Sequence, residues 1–170
     1  MKRLICPASL ALAALALLGL AVPGGAQDLT KDQVPFKAAV KANTDAFAIP
    51  VAPPMVSVRM TGSGETTSLG KFTFVGHDLA HLGVDGAPKS ATDGVGVMTG
   101  ANGDAIFVTW VSLITIPKPG FVTDNGVFTI TGGSGRFACA AGGGVFSTLV
   151  DLGKNELGAS FEGTISALKK

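Results

Sequence analysis

Cysteine is nearly absent: Cys6 and Cys139 are the only two among 170 residues. Cys6 stands before the apolar run Leu10 to Val22, so a chain cut after that run keeps Cys139 alone and closes no internal disulfide. Its stability then has to come from packing and strand pairing, even in an oxidising compartment. Charge is sparse as well, at 15% of residues, and balanced, with 13 Lys and Arg against 12 Asp and Glu. No basic run is present to track a phosphate backbone, which argues against nucleic acid and anionic membrane as partners. No apolar run reaches the roughly 18 to 20 residues of a spanning helix, so stable membrane insertion is not expected. No serine stands in a nucleophile elbow, and no glycine run leads into a helix N-terminus. Neither a hydrolase triad nor a phosphate cradle is legible, and no cofactor is implied.

What the front of the chain does contain is a leader. Lys2 and Arg3 precede the apolar run, and Gly24-Gly25-Ala26 offers small residues to a peptidase. This is the pattern of a secretory signal peptide over residues 1–26, and it places the protein in the periplasm or the medium. A lipid-modified cysteine would follow the apolar run, whereas Cys6 precedes it. Residues 27–35 read as a polar tail ending in Pro35, and residues 36–170 as one domain, large enough to bury a core.

Glycine is abundant, at 24 residues, about twice the usual share of roughly 7%. It falls between apolar runs, where it makes turns, and this favours an all-β chain. Phe36, Ala38, Val40 and Ala42 alternate with lysines as a first strand, although Ala and Lys also suit a helix. Ala46 to Pro54 carries three prolines and reads as an extended connector. Met55 to Thr61 is a second strand, bent at Gly62-Ser63-Gly64. A third runs from about Thr66 to His77 with Phe72 and Phe74 on one face. Gly83 to Thr92 reads as a loop, and Asp93 to Gly100 meets Ala105 to Ile116 across the hairpin signal Asn102-Gly103. Ala105 to Ile116 is apolar on both faces, so its outer side, with Phe107, Val111 and Leu113, calls for a second covering surface such as another subunit. Gly126 to Thr148 forms a hairpin in which Phe128 and Ile130 share a side, Gly132 to Gly135 turn, and Arg136 and Phe137 open the return arm. Phe146 to Val150 and about Glu156 to Leu168 complete eight strands. Eight short strands joined in series fit an up-and-down antiparallel barrel, which removes exposed edges and is just wide enough to fill itself or to hold one small ligand.

Four stretches carry a resemblance: Leu69-Gly70-Lys71-Phe72-Thr73, Thr99 to Asp104, Phe128 to Ala138 with its Gly-Gly-Ser-Gly-Arg-Phe block, and Phe161-Glu162-Gly163-Thr164-Ile165. They resemble small secreted bacterial proteins of the allene oxide cyclase and dirigent-like barrel superfamily. The resemblance implies an eight-stranded calycin-like barrel, often oligomeric, with an apolar cavity. Cyclases and coupling-directing proteins share that architecture, so fold alone does not assign an activity.

The candidate ligand-binding residues are Arg59, Glu65, Trp110 and Arg136. Arg136 follows the turn and either pins register in an ion pair with Glu65, Asp104 or Glu162, or grips an anionic ligand at the barrel mouth. Trp110 reads as core, subunit contact or ligand wall. Glu65 and Arg59 read as solvated strand-end charges, or as acid and anchor in a cofactor-free cyclase. His77 and His81, with Asp78 and Asp85 nearby, read as a solvated loop. No metal is expected, because on a strand four residues span about 13 Å. Cys139 reads as a small core residue. The expectation is an exported barrel that binds a small apolar molecule, with a cyclase or isomerase and a self-associating envelope protein as alternatives. A homo-oligomer is among the expected partners, and no catalytic residue is assigned.

Overall fold

Apolar and polar residues alternate through eight segments, and each is a strand. The computed structural model describes residues 33–49 and 54–166; the expected leader and most of the tail lie outside the described residues. The strands are β1 (Gln33–Ile49), β2 (Met55–Thr66), β3 (Gly70–Leu82), β4 (Pro88–Gly100), β5 (Ala105–Lys118), β6 (Phe121–Ser134), β7 (Gly142–Asp151) and β8 (Glu156–Ser166). Each pairs antiparallel with the next, and β8 pairs with β1 from Gln33 opposite Ser166 to Asn43 opposite Glu156, closing a barrel. Closure puts one set of alternate side chains inside and the other outside, the period of two that a strand imposes.

The inside is filled unevenly. Phe36, Phe72, Phe128 and Phe137, with Met98, Ile106, Ile130 and Ile165, occupy the half nearer the β2–β3, β4–β5 and β6–β7 connections, and all are nearly or fully buried. Burying each such side chain contributes about 1.5–3 kcal/mol. Rings meet across the closing seam: Phe36 and Phe128 have centroids 5.7 Å apart, Phe128 and Phe161 5.3 Å in an edge arrangement, and Phe146 stacks on Phe161 at 5.5 Å. Towards the opposite end, which we call the mouth, buried Ile114, Val122, Val150 and Leu157 are joined by smaller or polar inward residues. They include Thr44, Asp78, Ala80, Ala91, Ser112 and Thr148.

Phe128 and Ile130 share the inner face, as their alternation requires, and so do Phe72 and Phe74. Several boundaries differ from the expectation. β2 runs straight through Gly62-Ser63-Gly64, because glycine here serves close strand approach: a Cβ on Gly62 would lie 2.0 Å from the Lys41 carbonyl oxygen. β1 starts at Gln33 and continues to Ile49, into the stretch read as a connector, and β4 begins at Pro88 inside the expected loop. His77 and His81 lie on β3 and not in a solvated loop. His77 Nε2 is 2.8 Å from Ser57 Oγ and His81 Nε2 is 2.7 Å from Thr92 Oγ1. Arg136 and Phe137 belong to a 3-10 turn, Gly135–Phe137, and the return arm starts only at Gly142. Cys139 is exposed and carries no free thiol; the core position beside it belongs to Phe137.

Candidate functional site

Two carboxylates face into the barrel below its mouth. Asp78 lies on the inward row of β3 that begins Phe72, Phe74, Gly76, and Asp124 lies on the inward row of β6 that leads to Phe128 and Ile130. Asp78 is 5% exposed. The indole N–H of Trp110 on β5 donates to Asp78 Oδ2 over 3.0 Å. Ser112 Oγ, two residues along β5, donates to Asp124 Oδ1 at 2.9 Å, and the Asp124 backbone N–H donates to Thr148 Oγ1 at 3.1 Å. Among the described residues no Lys or Arg forms an ion pair with either carboxylate.

The indole lies over a shelf of backbone. A Cβ on Gly94 would meet Trp110 Cε2 at 2.4 Å, and one on Gly96 would meet Cζ3 at 2.9 Å. Glycine is therefore required beneath the ring, and the bond from β5 to β3 passes over β4. At the same place β4 loses register with both neighbours, between His77 and Leu79 on one side and between Ala91 and Gly94 on the other. Asp93, within this bulge, has φ 53°, a left-handed conformation uncommon for a residue with a Cβ. A bulge bends its strand and re-aims side chains. Here it stands directly beside Asp78.

Burial governs the charge state of both acids. It lifts Asp78 from its ordinary 3.8 to about 6; the Trp110 hydrogen bond opposes the lift and the neighbouring Asp124 charge adds to it. Burial also raises Asp124, against the hydrogen bond from Ser112. A carboxyl poised near pH 6 exchanges its proton close to neutrality, so it can present either a donor or an acceptor to a molecule at the mouth. Asp78, Trp110, Asp124 and Thr148 border an internal cavity of about 20 Å³, room for about one water. At the rim above it, the inner side of the sheet is small and apolar. There Ala46, Ala48, Val56 and Val58 share the inner side of the β1–β2 hairpin, and both alanines are exposed.

Of the four residues singled out from sequence, only Trp110 belongs to this site. Arg59 points outward on β2 and edges an outer groove of about 440 Å³ with Val75, Val95, Val97 and Phe107. Glu65 is exposed on the outer face opposite Lys71 and Ala39. Arg136 lies at the other end of the barrel. Its Nε is 3.2 Å from Asp104 Oδ2, its Nη2 donates to the Ser68 carbonyl at 2.9 Å, and its guanidinium sits 5.0 Å from the Phe137 ring centroid. That is the register-pinning pair, with Asp104 as the partner. Asp78, expected in a solvated loop, and Asp124, not singled out from sequence, both face inward, as extending the parity of Phe74 and Phe128 along each strand requires. Among the described residues no group of three or more His, Cys, Asp or Glu is placed to hold a metal ion. Compared with known proteins, the chain matches no family model, no curated protein and no solved structure.

Proposed function

We propose that this is an exported calycin-like barrel, akin to the allene oxide cyclase and dirigent-like proteins, that binds a small, largely apolar molecule at its mouth. The leader pattern of residues 1–26 supports export, and the eight-stranded antiparallel closure together with the Gly-Gly-Ser-Gly-Arg-Phe block supports the kinship. One observation carries the binding reading. Asp78 is buried with a raised pKa and, among the described residues, no Lys or Arg paired with it, next to a double register break, beneath a rim of small apolar residues. Such an arrangement costs stability, and features that cost stability collect where ligands bind. The ligand class is an apolar body bearing one hydrogen-bond donor or acceptor, with the body against Ala46, Ala48, Val56 and Val58 and the polar atom towards Asp78 and Asp124.

Native mass spectrometry of protein purified from its source tests this. A retained small molecule that is lost in Asp78→Asn and Asp124→Asn supports the reading. A protein that retains nothing and binds no apolar dye in any form rejects it. The same variants bear on an isomerase reading, because a proton-exchanging acid inside an apolar barrel is the group such chemistry needs.

A second reading, self-association, has its own observation. Between the strand ends, among the described residues, the outer faces of β3, β5, β6 and β7 carry no Asp, Glu, Lys or Arg, and β4 carries only the exposed Asp93 in its bulge. Val75, Val97 and Phe107 line up across β3, β4 and β5, and Val111, Val127 and Val145 across β5, β6 and β7. The wall made by β8, β1 and β2 carries Lys37, Lys41, Asp45, Arg59, Glu65, Glu156 and Glu162, all exposed. An apolar wall of this extent, segregated from the charged one, marks a contact surface. Val111→Lys would dissociate an assembly built on it, and a monomer at every concentration would exclude it.

A further inference from the structure

The outer groove of about 440 Å³ crosses the barrel wall from β2 to β5. Its walls are two cross-strand rows. Arg59, His77 and Val95 pair in register on the side nearer the mouth, and Val75, Val97 and Phe107 on the other. The floor is the row between them, in which Gly76 pairs with Gly96 and Gly96 with Val108. Both glycines are dictated from inside the barrel: a Cβ on Gly76 would lie 2.7 Å from Phe74 Cζ, and one on Gly96 2.9 Å from Trp110 Cζ3. The far end is the register break between β5 and β6, where Thr131 has no opposite residue on β5. Three strand spacings make the groove about 14 Å long, and two residues of rise separate its rows by about 7 Å. One slender molecule fits these dimensions.

The lining is apolar except towards β2. Val75, Val95, Val97 and Phe107 are all exposed, and the only Lys, Arg, Asp or Glu among the lining residues is Arg59. Asp45 stands opposite Arg59 in register on β1, yet among the described residues no carboxylate forms an ion pair with this guanidinium. His77 beside it is held by Ser57, whose Oγ is 2.8 Å from the ring Nε2. A guanidinium stays charged at any ordinary pH, and its fork of donors matches an oxyanion. A second copy laid over this part of the wall would bury that charge against valines, at a cost that apolar contact does not return. An anion at the same end removes the cost.

We propose that the groove is a binding site, separate from the mouth, for a small amphiphilic anion. A slender apolar body lies over Gly76 and Gly96, between Val95 and Val97, and its acidic head reaches Arg59. The two sites then select opposite chemistry, because Asp78 and Asp124 disfavour at the mouth the negative charge that Arg59 attracts on the outer wall.

Two dyes that share one ring body test this: anilinonaphthalene sulfonate, which carries an anionic head, and phenylnaphthylamine, which carries none. Backbone amide NMR shifts of the purified protein locate each dye, and fluorescence titration gives its affinity. The sulfonate is expected to shift Gly76, Gly96 and Val97 and to bind there about tenfold tighter than the uncharged dye, the difference that a hydrogen-bonded charge supplies. Arg59→Gln should remove that factor and leave the affinity of the uncharged dye unchanged, and Arg59→Lys should restore part of it. Asp78→Asn, which alters the mouth, should leave the groove affinity as it is. Equal affinity for the two dyes overturns the inference. So does an Arg59→Gln variant that binds the sulfonate like wild type, or a sulfonate that shifts only residues of the mouth. Groove amides that move on dilution without dye would assign this wall to contact between copies and overturn it as well.

Discussion

Trp110 on β5 gives its indole N–H to Asp78 on β3 across 3.0 Å, over the glycines of the intervening β4. The ring fills the waist of the barrel, and its one polar atom answers the one acid buried at that level. Neither residue would be comfortable there alone, since an unpaired buried donor or acceptor costs about 1–3 kcal/mol.

Acid should stabilise this protein. The folded-state value of Asp78, about 6, lies above its ordinary 3.8. The contribution to stability is therefore fully present below about pH 3.8 and is lost as pH rises through about 6. The difference corresponds to roughly 3 kcal/mol. Asp124 is raised as well and acts in the same direction. Denaturant midpoints measured from pH 3.5 to 8 should fall over this window and then level off, and Asp78→Asn should be markedly more stable than wild type at pH 8 but not at pH 4. The groups facing Asp78 are Trp110 and Asp124 inside and His77 beside it; the His77 charge favours the ionised acid and works against the slope.

Trp110→Phe keeps most of the ring and removes the donor. Asp78 then loses the one hydrogen bond that lowers its pKa, so the variant should lose about 1–3 kcal/mol, more at pH 8 than at pH 5. Urea titrations at the two pH values check it, and an equal loss at both would show that the indole N–H is not stabilising the ionised carboxylate.

Gly94→Ala tests the shelf. Its Cβ would overlap the indole at 2.4 Å, and overpacking of this kind costs about 1–3 kcal/mol. Trp110 is the chain's only tryptophan, so its fluorescence reports the displacement directly. An unchanged emission spectrum and midpoint would place the ring elsewhere.

Arg136→Ala should matter little. The guanidinium is half exposed and Asp104 lies at the surface end of the barrel, so the pair is worth at most about 1 kcal/mol. Ligand retention at the mouth should be unaffected, since Arg136 is at the opposite end. Loss of ligand in this variant would move the binding site to the 3-10 turn.

Much of the barrel is legible in the sequence because its strands alternate locally. Phe128 with Ile130, Phe72 with Phe74, and Ile106 with Val108 and Trp110 sort themselves by parity, and Asn102-Gly103 marks its own turn. The candidate site is less legible, for a physical reason. His77, Asp78 and His81 look like a solvated loop, because polar residues near Gly83 suggest solvent. Their strand is maintained by pairing with Ser57 and Thr92, far along the chain. Asp78 becomes an interior group only when Trp110, brought beside it by the bulge in β4, supplies its partner. Likewise nothing local shows that β1 outruns β8, since that depends on where a strand more than a hundred residues later begins.

The most direct test is a carbon-detected NMR titration of the aspartate side-chain carboxyls in the folded protein, with Asp78→Asn to assign the resonance. The account predicts that Asp78 titrates near pH 6, well above its ordinary 3.8, and that its shift moves when a ligand occupies the mouth. A titration midpoint near 4 with no sensitivity to Trp110→Phe would contradict it.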